Sequence, residues 1–151
     1  MGFRGRCVAV LLAGGLATPL VGAAPDAIRA RIETYRELGA SFKAVNDGLR
    51  TDEVQTVLIG QAARHIRNVA QAQYGLFPPG SGPAPGLKTK ARAEIWRQPA
   101  RFKAAQDAFA GAAAGFQQAV ASGNADTMRQ AAKRLGETCK GCHDSFRTRD
   151  D

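Results

Sequence analysis

Apolar residues recur along this chain with the period of helices, and four segments carry the pattern. In the first, Ile28, Tyr35, Phe42 and Leu49 stand seven residues apart, with Ile32 and Val45 filling intermediate turns. That is the stripe of a helix packed in a bundle. Gly48 weakens its end, and Thr51-Asp52-Glu53 has the form of a cap and acidic first turn for the next helix. The second segment places Val54, Leu58, Ala62, His65, Ile66 and Val69 on one face. Val57 and Ile59 widen that face beyond a single seam, which fits either a subunit contact or packing beneath a loop.

From Gln73 to Gln98 the periodicity stops. Phe77-Pro78-Pro79-Gly80-Ser81-Gly82-Pro83-Ala84-Pro85-Gly86 cannot be a helix interior, and long loops that persist in compact domains usually cover something. Ile95 and Trp96 are its expected anchors. Pro99 suits the first turn of a third helix, in which Phe102, Ala105, Phe109, Ala112, Phe116 and Ala119 alternate steps of three and four. Ser122-Gly123-Asn124 is a tight connection with Asn124 as N-cap, so the third and fourth helices should be antiparallel neighbours. The fourth carries Met128, Ala132, Leu135, Cys139, Cys142 and Phe146 on its stripe. The prediction is an all-α protein, an antiparallel four-helix bundle with one long Pro/Gly-rich loop between its second and third helices.

The first residues are different in kind. Arg4 and Arg6 precede an uncharged apolar run from Val8 to Leu20, followed by the small residues Val21-Gly22-Ala23. This order predicts a secretory signal peptide over 1–23 and a single domain over 24–151. The apolar run is shorter than the ~20 residues a bilayer span needs, and glycines and a proline interrupt it, so no membrane association is expected after cleavage. Loss of 1–23 removes Arg4 and Arg6 and no acid, and the formal charge falls from +8 to +6. The remaining basic residues are spread along the helices and not interleaved with aromatics, which argues against a nucleic-acid site.

The chemistry gathers at the end of the chain, in Cys139-Lys140-Gly141-Cys142-His143. Cys-x-x-Cys-His is the attachment signal for one covalent c-type haem. On a helix, residues three and four apart share a face, so two thiols can reach two vinyl groups of one porphyrin while the adjacent imidazole, His143, sits under the iron as proximal ligand. A thioredoxin-like pair would want a strand before the motif, and a structural zinc site needs four ligands where the mature chain offers two cysteines, His143 and a remote His65.

What stands on the other face of the iron decides what such a site does. The only methionine of the mature chain, Met128, lies fifteen residues before His143 on the same helix. At ~1.5 Å per residue that is roughly 22 Å along the axis, too far to reach the opposite haem face. The eight residues after His143 are too few to fold back with a ligand. His65 remains as a bis-histidine candidate, with an ordinary core histidine as its plainer reading. The expectation is a five-coordinate, high-spin iron open to small neutral gases.

The sequence resembles the cytochrome c′ family, the class II c-type cytochromes, over essentially the whole mature chain. The resemblance rests on the C-terminal haem motif with Arg147 one turn later, and on Arg31-x-x-x-Tyr35-Arg36-x-x-Gly39-x-x-Phe42-Lys43 in the first helix. The Pro/Gly loop leading to Glu94-Ile95-Trp96 and Phe102-Lys103 supports it. The resemblance implies a four-helix bundle, often a homodimer through the first two helices. It implies that Tyr35 faces the distal side of the haem, where electron-carrying relatives hold a methionine ligand and high-spin ones a bulky residue that does not ligate. It also implies that Arg147 lies near the proximal pocket, that Arg31 is a candidate partner for a haem propionate, and that Trp96 and Phe102 pack near the haem. A high-spin periplasmic protein that binds NO, and also CO, is the expected function, with sequestration of NO as its use. The alternative is a one-electron carrier serving a redox partner that the sequence does not specify. Catalysis is not expected, because no distal acid–base histidine other than His65 is available.

Overall fold

The computed structural model describes residues 23–51 and 53–149. Apart from Ala23, the predicted export signal lies outside the described residues. No helix among the described residues is long and apolar enough to cross a membrane.

Four long helices make the bundle: α1 (Ala23–Arg50), α2 (Thr56–Ala72), α4 (Pro99–Ala121) and α5 (Ala125–Phe146), with a single turn, α3 (Glu94–Arg97), leading into α4. Pro99 sits in the first turn of α4, where its missing N–H costs nothing. Gly123 takes a positive φ of 71° in the tight link that follows. The Asn124 side chain then accepts a hydrogen bond from Thr127 N at 2.9 Å and caps α5. Neighbouring helices run antiparallel in the order α1, α2, α4, α5, and α2 lies diagonally across from α5. Closing the ring is the α1–α5 seam, which is packed far more sparsely than the other three. Where α2 ends, a 3₁₀ turn (Gln73–Gly75) brings Gln73 against α4. Gln73 Nε2 donates to Gln106 O at 3.0 Å and Gln106 Nε2 returns a bond to Gln73 O at 3.2 Å, so two buried amides tie the ends of these helices together.

The core runs the length of the bundle, with Val45, Ile59, Ile66, Phe116, Met128 and Leu135 almost wholly enclosed. Three local expectations are corrected. Thr51 does not start α2: its hydroxyl donates to Glu53 O at 2.6 Å and lies 3.0 Å from Gly48 O, and α2 begins only at Thr56 without a side-chain cap. The buried stripe of α2 is Ile59, Ala62, Ala63, Ile66, Val69 and Ala70: Ala62, Ile66 and Val69 lie inside as expected, but Ile59 takes the place of Leu58, which leaves Leu58 52% and Val57 73% exposed. The reason is the approach of the two helices at Gly48, where a Cβ would stand 3.1 Å from Ile59 Cγ1; the missing side chain lets Ile59 turn inward beneath the end of α1. In α1, Ile32 is 43% exposed, and Leu38 takes the core position instead.

Candidate functional site

At the loop end of the bundle α5 presents the predicted motif on its inner face. Cys139 packs against the main core, and Cys142, three residues on, packs against a second apolar cluster formed by Ile95, Phe102 and Phe146 with Phe77, Ala91, Trp96 and Ala105 around it. Both sulfurs are free thiols and half-buried. His143 follows one residue later, with its side chain partly exposed at the surface.

Tyr35 reaches this region from α1 and packs on the main core. From it a chain of rings crosses to α5: Phe77 lies 6.1 Å from Tyr35, Phe102 lies 4.8 Å from Phe77, and Phe146 lies 5.1 Å from Phe102. Trp96 meets Phe77 edge-on at 6.3 Å. These tilted and T-shaped arrangements suit the quadrupoles of the rings. Trp96 and Phe102 thus stand in the same cluster as Cys142. Phe77 joins all of them and was not anticipated as a site residue; its position before a Pro-Pro pair at the mouth of the loop was the available signal.

The loop is held from two sides. Arg31 on α1, only 4% exposed, points into it: Nη1 donates to Leu76 O at 3.3 Å and Ser81 Oγ at 3.1 Å, and Nη2 to Ser81 O at 3.0 Å and Thr89 Oγ1 at 2.8 Å. In this arrangement the guanidinium serves the loop. On the other side Arg92 N donates to Phe146 O and Thr148 N to Lys90 O, both at 2.9 Å, a short bridge onto the chain just after the motif. Gly82 lies so close to the Trp96 ring that a Cβ there would stand 3.0 Å from it, and Trp96 Nε1 donates to Pro78 O at 3.2 Å.

Burial controls the protonation of these groups. The Tyr35 phenol is pushed well above its ordinary range, first by desolvation and then by the neighbouring Cys142 and Cys139 sulfurs, so it stays neutral and tyrosinate ligation is disfavoured. Burial raises the Cys142 thiol to about 11, with Cys139 adding to the effect, and burial also raises Cys139. Neither is the low-pKa thiolate of a redox pair. His143 is shifted down, first by burial and then by Arg147, which favours the neutral imidazole that a metal ligand must be. Arg147, the C-cap of α5, is exposed and its N–H donates to His143 O at 3.1 Å, so the two are neighbours.

This donor set fits a haem. Two free thiols share one helical face with a neutral imidazole beside them, apolar and aromatic side chains flank them, and the α1–α5 seam in front of them is the loosely packed one. A zinc site is not supported: no group of three or more His, Cys, Asp or Glu able to hold a metal ion occurs among the described residues. Two other candidates stand apart. Met128 is 1% exposed within the core, near the opposite end of α5. His65, with a buried Nε2 that has no hydrogen-bond partner, is on α2, which lies diagonally across the core from α5 with no Cα pair within 8 Å.

A family model described as Cytochrome C′ matches residues 26–147. The cytochrome c′ of Pararhodospirillum photometricum is 34% identical over 129 residues, covering 83% of this chain and 99% of that protein. The cytochrome c′ of Alcaligenes xylosoxydans xylosoxydans is 32% identical, covering 75% of this chain and 90% of its own. Among solved structures, a nitric oxide complex of a mutant cytochrome c prime from Alcaligenes xylosoxidans superposes with a TM-score of 0.75 at 26% identity, covering 84% of this chain and 98% of that one.

Proposed function

The chain belongs to the cytochrome c′ family of haem proteins, and from that premise we propose that it is a high-spin haem c protein that binds NO, and CO, on an open distal face. Cys139 and Cys142 would hold one haem through thioethers, with His143 as the proximal ligand. When bound, the haem supplies an iron that takes up a small neutral ligand or a single electron.

The observation that carries the reading is the place of Met128. It is enclosed in the core near the far end of the helix that carries the motif, which leaves the tyrosine, not a methionine, across the seam from Cys142. Tyr35 holds its proton and makes a bulky neutral wall, which admits neutral diatomic ligands more readily than anions. The aromatic chain from Tyr35 to Phe146 keeps water from the site. Arg147 beside His143 favours the neutral imidazole. The nitric oxide complex of the Alcaligenes relative supports NO as the ligand. Because Tyr35 keeps its proton and His65 lies diagonally across the bundle, the side chains suit binding better than turnover.

The signal-like segment 1–23 supports export to the periplasm, where NO sequestration would be the use. Exposed Val57 and Leu58 on α2 support a homodimer through α1 and α2. The optical spectrum of the reduced protein tests the central claim. A broad Soret band without sharp α and β bands is expected; sharp bands would overturn the open face and favour the electron-carrier reading.

A further inference from the structure

Arg31 is a buried cation whose guanidinium is fastened to a single loop. Its four terminal N–H groups go to two carbonyls and two hydroxyls of one loop, and its guanidinium carbon stands 4.7 Å from the Phe77 ring centroid and 6.0 Å from that of Trp96. Burying a guanidinium is costly unless its donors are satisfied. The acceptors must therefore sit where the guanidinium needs them, so the side chain dictates the path of residues 76–89. Apart from this latch, the strap is fixed by Trp96, whose Nε1 donates to Pro78 O and whose ring Gly82 packs against. Prolines 78, 79, 83 and 85 donate no backbone bond, Gly80 and Gly86 take φ of 81° and 80°, and its internal backbone bonds are single turns such as Ser81 N to Pro78 O and Leu87 N to Ala84 O. Beyond it the chain is anchored again by the Arg92–Phe146 and Thr148–Lys90 bonds. Phe77 lies at the Arg31 end of the strap, between the guanidinium, Tyr35 and Phe102.

We propose that Arg31 is a positioning residue for the open face of the site: it fastens the 76–89 strap to α1, holds the Phe77 ring beside Tyr35, and so sets how fast a small neutral ligand enters. The inference rests on the reading above that the face opposite His143 is open. Arg31 does not act on the ligand itself; it acts through Phe77. Loosening the latch lowers the cost of local opening of the strap, and a strap that opens more often admits ligand more often.

The experiment uses the full haem-loaded protein in its ferrous form, with CO as the probe, followed by flash photolysis and by hydrogen exchange of the 76–89 peptide. Arg31→Met is expected to speed exchange in the strap and to raise the CO association rate by about three- to tenfold, in the lower part of the range over which contacting residues couple. Thr89→Val keeps the charge but removes one acceptor, and should shift both readings the same way by less; it carries the test if Arg31→Met fails to fold. Arg31→Lys should fall between wild type and Arg31→Met. In a Phe77→Leu background, Arg31→Met should add nothing further to the CO rate. Faster exchange with an unchanged CO rate in a wild type that binds CO would overturn this inference alone, and so would an equal rate increase with and without Phe77. A wild type that binds no CO would overturn the open-face reading and this inference with it.

Discussion

Replacing Met128 by leucine and by alanine separates a core methionine from a haem ligand. Its side chain is 1% exposed and packs in the same cluster as Val45, Ile66, Phe116 and Leu135. Leucine conserves volume and apolarity, so Met128→Leu should cost less than about 1.5 kcal/mol. Alanine leaves a cavity at a site where all neighbours are already enclosed, and should cost about 2–5 kcal/mol. For a domain of this size each kcal/mol moves the melting temperature by roughly 2–4 °C, so the alanine variant should melt on the order of 4 to 20 °C lower and the leucine variant within about 6 °C of wild type. Urea unfolding followed by far-UV circular dichroism measures the cost, and the haem spectrum is read on the same samples. Both variants should keep the wild-type spectrum while folded. A new spectrum in Met128→Leu would mean that the thioether reaches the iron, and the placement of Met128 deep in the core of α5 would be wrong.

Tyr35→Met places a thioether where the open-face reading has only a neutral phenol; the reduced spectrum should turn low-spin, and an unchanged spectrum would count against Tyr35 as the distal wall. The pH dependence of stability isolates the same residue. Its folded pKa lies above the ordinary phenol value of about 10, so the stability it contributes is fully present below that value and is lost as pH rises through the folded one. Between about pH 9 and 11.5, wild type should therefore lose stability more steeply than Tyr35→Phe in denaturant titrations, and parallel profiles would contradict burial of the phenol. At the other end of the bundle, Leu58→Glu puts a charge on the exposed patch of α2. Sedimentation should show a dimer shifted toward monomer with the melting temperature of the dissociated chain little changed; an undisturbed dimer would exclude this face.

How much of this was legible in the sequence depends on how far apart the cooperating residues are. The seven-residue spacing of Ile28, Tyr35, Phe42 and Leu49, the Pro99 start and the Asn124 cap all act within one or two helical turns, and the helices formed where these signals stand. Cys139, Cys142 and His143 are likewise brought together by the helix repeat alone. The place of Ile59 on the inner face of α2 was not legible. Both Leu58 and Ile59 satisfy a helical stripe, and the choice between them came from the missing side chain of Gly48 on another helix.

The site divides along the same line. By itself the sequence determined the helical class, the interruption by the Pro/Gly loop and the thiol–thiol–imidazole motif, because each is a property of neighbouring residues in one segment. Only the tertiary structure decided that Arg31 meets Ser81, fifty residues away, that Phe77 lies between Tyr35 and Phe102, and that the α1–α5 seam is the loose one. A guanidinium accepts any well-placed carbonyl or hydroxyl, and a ring any apolar neighbour, so neither residue type names its partner. The partners were chosen by how the loop had to run to satisfy a buried charge and cover the apolar end of the bundle at once.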